Sequence, residues 1–366
     1  MNNIKEKNTG IEMLRILSMF MVVILHILNF GIHYTEITSF TIKWYISWFL
    51  EGICYCAVNI YAMISGYVMF NSRCKIRRLI ELWLEVLLYS MISVLLLNNF
   101  FPELVSRKDI IKACFPIMSQ RYWYFTAYFA IYWFIPFFNW VVQELDFERM
   151  RKLLYRLLLV FGIIPWISEP WGSWAFGLTG GYTALWLAIM YLVGAGIRKY
   201  GFSIISFRRH EHSKAYFLGM AVLSGCSVFF TKLMITIFSK QILGQELYTD
   251  RFYSYLSPLV IAEAIFLICL FSKIKIKQNS IWIKTSKLTF GIYLIHLSPL
   301  FGQYIWKLFS LLVQRNSIEF LVGLLVGTLA IYVGCSVIEY LRLKVFQFFR
   351  ISDLLEYICV KIKRRE

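Results

Sequence analysis

GIEMLRILSMFMVVILHILNF, residues 10–30, is apolar enough to cross a bilayer yet carries three ionisable side chains, Glu12, Arg15 and His26. Ionisable groups in a spanning helix are costly to hold there and ordinarily face a cavity or a partner. Arg15 and His26 are eleven residues apart, which at ~100° per residue is three turns plus about 20°. They therefore share one face, separated by about 16 Å along the axis at ~1.5 Å per residue. Glu12 stands on nearly the same face, one turn below Arg15. The helix carries a polar stripe aimed at something other than lipid.

The composition around it is that of a membrane protein. Of 366 residues, 59% are apolar and only 16% charged, and the mean hydropathy is +0.63; soluble domains run near 45–50% apolar and about 25% charged. A β-barrel would show alternating segments of about ten residues, so the long apolar runs specify an all-α, polytopic helical bundle. The formal charge of +17 does not require a nucleic-acid partner, because inner loops obeying the positive-inside rule account for it. Eight cysteines include no C-x2-C pair and no His/Cys cluster with zinc spacing. They read as small buried hydrophobes, and no metal is expected. Lys5 and Lys7 precede the first apolar stretch as in a signal peptide, but no small-x-small cleavage site follows, so the helix reads as retained.

Ten apolar spans of roughly 17–25 residues fit a ~30 Å hydrocarbon core. They fall near 11–30, 44–70, 79–98, 122–142, 153–168, 182–197, 215–238, 253–272, 288–311 and 319–341. With the N-terminus inside, the inner segments hold 27 Lys and Arg and the outer ones nine, a bias that predicts both termini cytoplasmic. No linker marks off a soluble domain. Residues 1–343 read as one transmembrane domain and 344–366 as a basic amphipathic tail on the inner leaflet.

An arginine, ten residues and a histidine in a first spanning helix, with an acid three residues before the arginine, resembles the acyltransferase-3 family of polytopic membrane O-acyltransferases. Further matches follow in the family's order. ISGY at 64–67 resembles its Ser-Gly-aromatic signature, though Ser and Gly also serve close helix packing. Arg77 and Arg78, in a cluster with Arg73 and Lys75, resemble its inner basic cluster, where positive-inside bias alone would also put charge. RYWYFTAYFAIYWFIPFFNW at 121–140 resembles its aromatic segment ending in a proline, here Pro136, and LTFGIYLIHLSP at 288–299 its C-terminal motif, with His296. Glu12 stands where many members have Asp, and Asn59 where an acid is common. Relatives with an appended esterase-like domain exist; this chain leaves no room for one.

The resemblance implies transfer of an acyl group, acetyl above all, from cytoplasmic acetyl-CoA or another acyl-CoA to a hydroxyl of a cell-surface or lipid-linked glycan. The enzyme would be multi-pass in the plasma membrane. The expected catalytic pair is His26, a neutral imidazole acting as general base on the sugar hydroxyl, and Arg15. Arg15, Arg77 and Arg78 would bind the donor, since guanidinium forks suit phosphate. Glu12, Ser65, Tyr67 and His296 are accessory candidates, and Glu81 and Glu85 are placed to orient the inner arginines. Trp123, Trp171 and Trp174 are candidates to contact the acceptor. Partners are then the glycan acceptor and the bilayer, with homo-oligomers left open. The competing class is a transporter or flippase of glycan precursors, for which inverted repeats and paired broken helices are expected; the sequence displays neither.

Overall fold

The computed structural model describes residues 8–72, 75–169, 175–206, 212–245, 252–276 and 281–363. Among the described residues every regular element is helical. The chain runs α1 (Thr9–His26), α2 (Ile42–Cys54), α3 (Ala57–Met69), α4 (Ile76–Phe100), α5 (Arg107–Cys114), α6 (Trp123–Glu144), α7 (Phe147–Leu158) and α8 (Ile164–Ser168). It continues through α9 (Ala184–Tyr200), α10 (Lys214–Leu243), α11 (Pro258–Ser272), α12 (Ile281–Thr285), α13 (Thr289–His296), α14 (Pro299–Ser310), α15 (Ser317–Phe348) and α16 (Ile351–Lys363).

The first helix is the axle of the bundle. Asn8 caps its start by accepting from Ile11 N–H, and α2, α3, α11, α13 and α15 all pack against it. Leu14, Val23, Ile27 and Leu28 are buried on its different faces. Immediately after His26 the helix widens to a π-helical turn, Ile27–Ile32, and then stops at His33 in the left-handed conformation. π-Turns of this kind re-aim side chains and recur at functional sites.

Helices α3 and α9 approach most closely. A β-carbon on Gly194 would stand 2.0 Å from the Met63 carbonyl oxygen, and one on Gly66 would stand 1.9 Å from that of Tyr191. Only glycine lets the two backbones meet, which is how small residues pack helices where lipid supplies no hydrophobic drive between them. A buried clamp locks the joint: Trp186 Nε1 donates to Asn59 Oδ1 at 2.9 Å, and Asn59 Nδ2 donates to the Tyr255 carbonyl at 2.9 Å. An ionised carboxylate at 59 could accept the first bond but not donate the second.

On the outer flanks the large apolar side chains face away from the protein, as with Phe230, Met234 and Phe238 on α10 and Val322, Leu329 and Val333 on α15. A bilayer is the solvent that suits such faces. Six helices among the described residues are long and apolar enough to cross it: Thr9–Ile32, Ile42–Met69, Ile76–Phe100, Trp123–Glu144, Lys214–Leu243 and Ser317–Phe348. The other four expected spans lie on shorter or interrupted helices. α9 is bent by 73° from the segment Ala175–Gly181 before it, and α11 has 15 residues. The π-turn Leu159–Ile163 interrupts the span 153–168 between α7 and α8. The span 288–311 is broken after His296, where Ser298 and Pro299 restart the chain as α14.

Candidate active site

The break between α13 and α14 is where the C-terminal motif meets the first helix. His26 Nδ1 lies 2.8 Å from His296 Nε2 across 270 residues of sequence. His296 is fully buried, and its Nδ1 is hydrogen-bonded to the Ile292 carbonyl one turn back. A carbonyl only accepts, so His296 carries its proton on Nδ1, and its Nε2, in the neutral ring, is a bare acceptor. His26 must then donate through Nδ1, and a neutral His26 presents an unprotonated Nε2. The pair thus fixes one tautomer of His26, as the residue behind a catalytic histidine does in other enzymes. Trp306 closes the far side of His296, ring to ring at 6.3 Å.

Two cavities meet at His26. The narrower, of about 80 Å³, is lined by Met19, Val22, Val58, Tyr61, Tyr124 and Phe290 besides His26. Tyr61, in this wall, also donates its hydroxyl to the Arg15 carbonyl at 2.9 Å. The wider, of about 520 Å³, is lined among others by Asn29, Glu51, Tyr55, Arg121, Tyr182 and Tyr253. Leu25, His26, Trp123, Tyr255 and Tyr293 line both. One cavity is mainly apolar, and the other brings a carboxylate, a guanidinium, an amide and several phenols together.

The other sequence-chosen residues distribute unevenly about this centre. Trp123 lies at the junction, its ring 4.7 Å from that of Tyr182 and stacked over Tyr255 at 6.2 Å. Arg15 is not in either cavity wall; its Nε stands 3.8 Å from Glu12 Oε2, with the Glu12 side chain buried. Ser65 bonds back to the Tyr61 carbonyl at 3.1 Å. Tyr67 lies under Arg198, 5.0 Å from guanidinium to ring centre. Neither lines the His26 cavities; Tyr67, with Gly66, belongs to the α3–α9 joint.

Arg77 and Arg78 stand apart from His26, at the start of α4. Glu81 pairs with both, at 3.2 Å and 3.3 Å, and Glu356 of α16 also bonds Arg77. Glu85 does not join them. It faces Arg342 at 3.1 Å, and Arg342 also bonds Glu339, which accepts from the Tyr89 hydroxyl at 2.7 Å. Glu85, four residues after Glu81 and expected beside it at the arginines, instead faces a buried tertiary partner. Trp171, Trp174 and Arg73 lie outside the described residues.

Sequence reasoning missed Asn29, Glu51 and Arg121. The signal was present for Glu51, an acid inside an apolar span, but the residue sits in a different helix from the histidine and only tertiary packing joins them. Among the described residues no group of three or more His, Cys, Asp or Glu side chains converges as metal ligands would.

The model of a family described as an acyltransferase domain matches residues 8–340, nearly the whole chain. No curated protein and no solved structure matches the chain significantly.

Proposed function

We propose, from the premise that the chain belongs to the acyltransferase-3 family, that it is a membrane O-acyltransferase using acyl-CoA as donor and a glycan or lipid-linked glycan as acceptor. His26 is the general base. The observation that carries this reading is His26 at the meeting of two chemically different cavities, with its tautomer set by His296. The donor arm enters the narrow cavity from the Arg15 side, and the sugar occupies the wider, polar one.

The chemistry follows from the tautomer. The acceptor hydroxyl gives its proton to His26 Nε2 as its oxygen attacks the thioester carbonyl. The resulting imidazolium is held by its Nδ1–H bond to His296 Nε2. Collapse of the tetrahedral intermediate breaks the C–S bond, and the CoA sulfur takes the proton back from His26. The ester oxygen is the acceptor's own, and His26 returns to its starting state.

The same reading assigns ten spans with both termini cytoplasmic, in the plasma membrane, with residues 1–343 as the acyltransferase domain and 344–366 as an inner-leaflet tail. Its support is the asymmetry of basic residues between alternate loops. Arg15, Arg77 and Arg78 then lie on the donor's side.

Replacing His26 with Gln in the producing cell tests the function. A positioned general base contributes ~10²–10⁴-fold, so O-acyl groups on the surface glycan should fall by about that factor while membrane levels of the protein hold. A glycan with unchanged ester content would remove His26, and this mechanism with it.

A further inference from the structure

The wider cavity contains an acid tied to the same turn as the proposed base. Glu51 closes the last turn of α2 and is 1% exposed. Its Oε1 accepts from Asn29 Nδ2 at 3.2 Å, and the same amide nitrogen donates to the Leu25 carbonyl at 2.9 Å. Asn29 belongs to the π-helical turn that follows His26, so the carboxylate and the imidazole are set relative to one another through a single turn of backbone. Around them stand aromatic faces: Trp123 against Tyr182, Tyr182 against Tyr255 at 4.9 Å, and Tyr55 against Tyr255 at 5.0 Å. Among the described residues Arg121 is the one Lys or Arg in the wall of this cavity.

We propose that Glu51 is the acceptor-orienting residue and that the acceptor unit it takes is a neutral pyranose with adjacent free hydroxyls. A carboxylate accepts two O–H bonds side by side, which suits vicinal hydroxyls. The aromatic faces receive the C–H face of the ring. With one acidic and one basic side chain among the described residues of the wall, Glu51 and Arg121, a neutral ring is matched better than an amino sugar or a uronic acid. Gripping one pair of hydroxyls selects which neighbouring hydroxyl reaches His26 Nε2, so Glu51 sets the position of the ester. This proposal rests on the wider cavity being the acceptor's.

The test uses the full chain in lipid nanodiscs and equilibrium dialysis with radiolabelled methyl α-D-glucopyranoside, in competition with the corresponding glucosaminide and glucuronide. The glucoside should bind saturably and resist displacement by either charged analogue. Glu51→Gln should weaken it by about tenfold or more, the scale expected on losing charge-assisted hydrogen bonds, while affinity for CoA stays at the wild-type value. Absence of saturable glucoside binding, preference for a charged analogue, or an unchanged Glu51→Gln affinity would each overturn the proposal. Should Glu51→Gln also lose CoA binding, and so report misfolding, the competition order in the unmodified protein decides alone. Acyl transfer by His26→Gln is read separately: its loss together with failed glucoside binding leaves the enzyme reading standing and sinks only this one.

Discussion

In the proposed mechanism His26 accepts a proton at Nε2, and its Nδ1 is committed to His296 at 2.8 Å. Replacing His296 with Phe fills the buried site but removes the acceptor for the His26 Nδ1–H. The His26 ring is then free to turn or to move its proton to Nε2. Misplacing a catalytic group in this way costs roughly 10²-fold, so kcat for acyl transfer should drop by about that factor with little change in the KM for acyl-CoA. His296→Gln, whose amide oxygen can accept from His26, should recover part of the loss. Equal activity in wild type and the Phe variant would reduce His296 to a packing residue.

The α3–α9 joint rests on backbones in direct contact, with the Gly194 position 2.0 Å from the Met63 carbonyl if a β-carbon were present. Gly194→Ala must push the helices apart, and overpacking of this sort costs about 1–3 kcal/mol. The thermal midpoint of the solubilised protein should fall measurably; an unchanged midpoint would show that the joint tolerates separation. At the start of α4, Arg77 and Arg78 share Glu81, and Arg77 reaches Glu356 of the tail helix. Arg78 and Glu356 are exposed and Arg77 partly so, and pairs of that kind have small net worth, so a polyphosphate donor could displace them. Arg77 and Arg78 changed together to Gln should raise the KM for acyl-CoA by about tenfold while the protein inserts normally. An unaltered KM would leave the two arginines as topology signals.

For the molecule as a whole, orientation decides which substrate meets which cavity. Cysteine placed at Met118, 84% exposed in the segment between α5 and α6, should react with an impermeant maleimide in intact cells. Cysteine at Glu148, in the first turn of α7, should react only after permeabilisation. The opposite pattern would invert the bundle and put the narrow cavity on the outside, where no acyl-CoA is available.

The sequence by itself determined the class of the molecule. Composition and apolar runs demand helices in lipid, because backbone groups in hydrocarbon must bond within their own segment. The Arg15–His26 spacing put both on one face because helical geometry is local. The motif at His296 was legible as a candidate for the same reason of local pattern. What tertiary structure decided was partnership. His26 meets His296 rather than Arg15, Glu85 turns from its helix neighbours to Arg342, and Glu51 enters the cavity through Asn29. Each of these contacts joins different helices, and the broken end of α13 and the π-turn after His26 create the geometry that allows the first. Spacing along one helix fixes direction within a fraction of a turn. It contains no information about which helix stands opposite, because that is settled by the packing of the whole bundle.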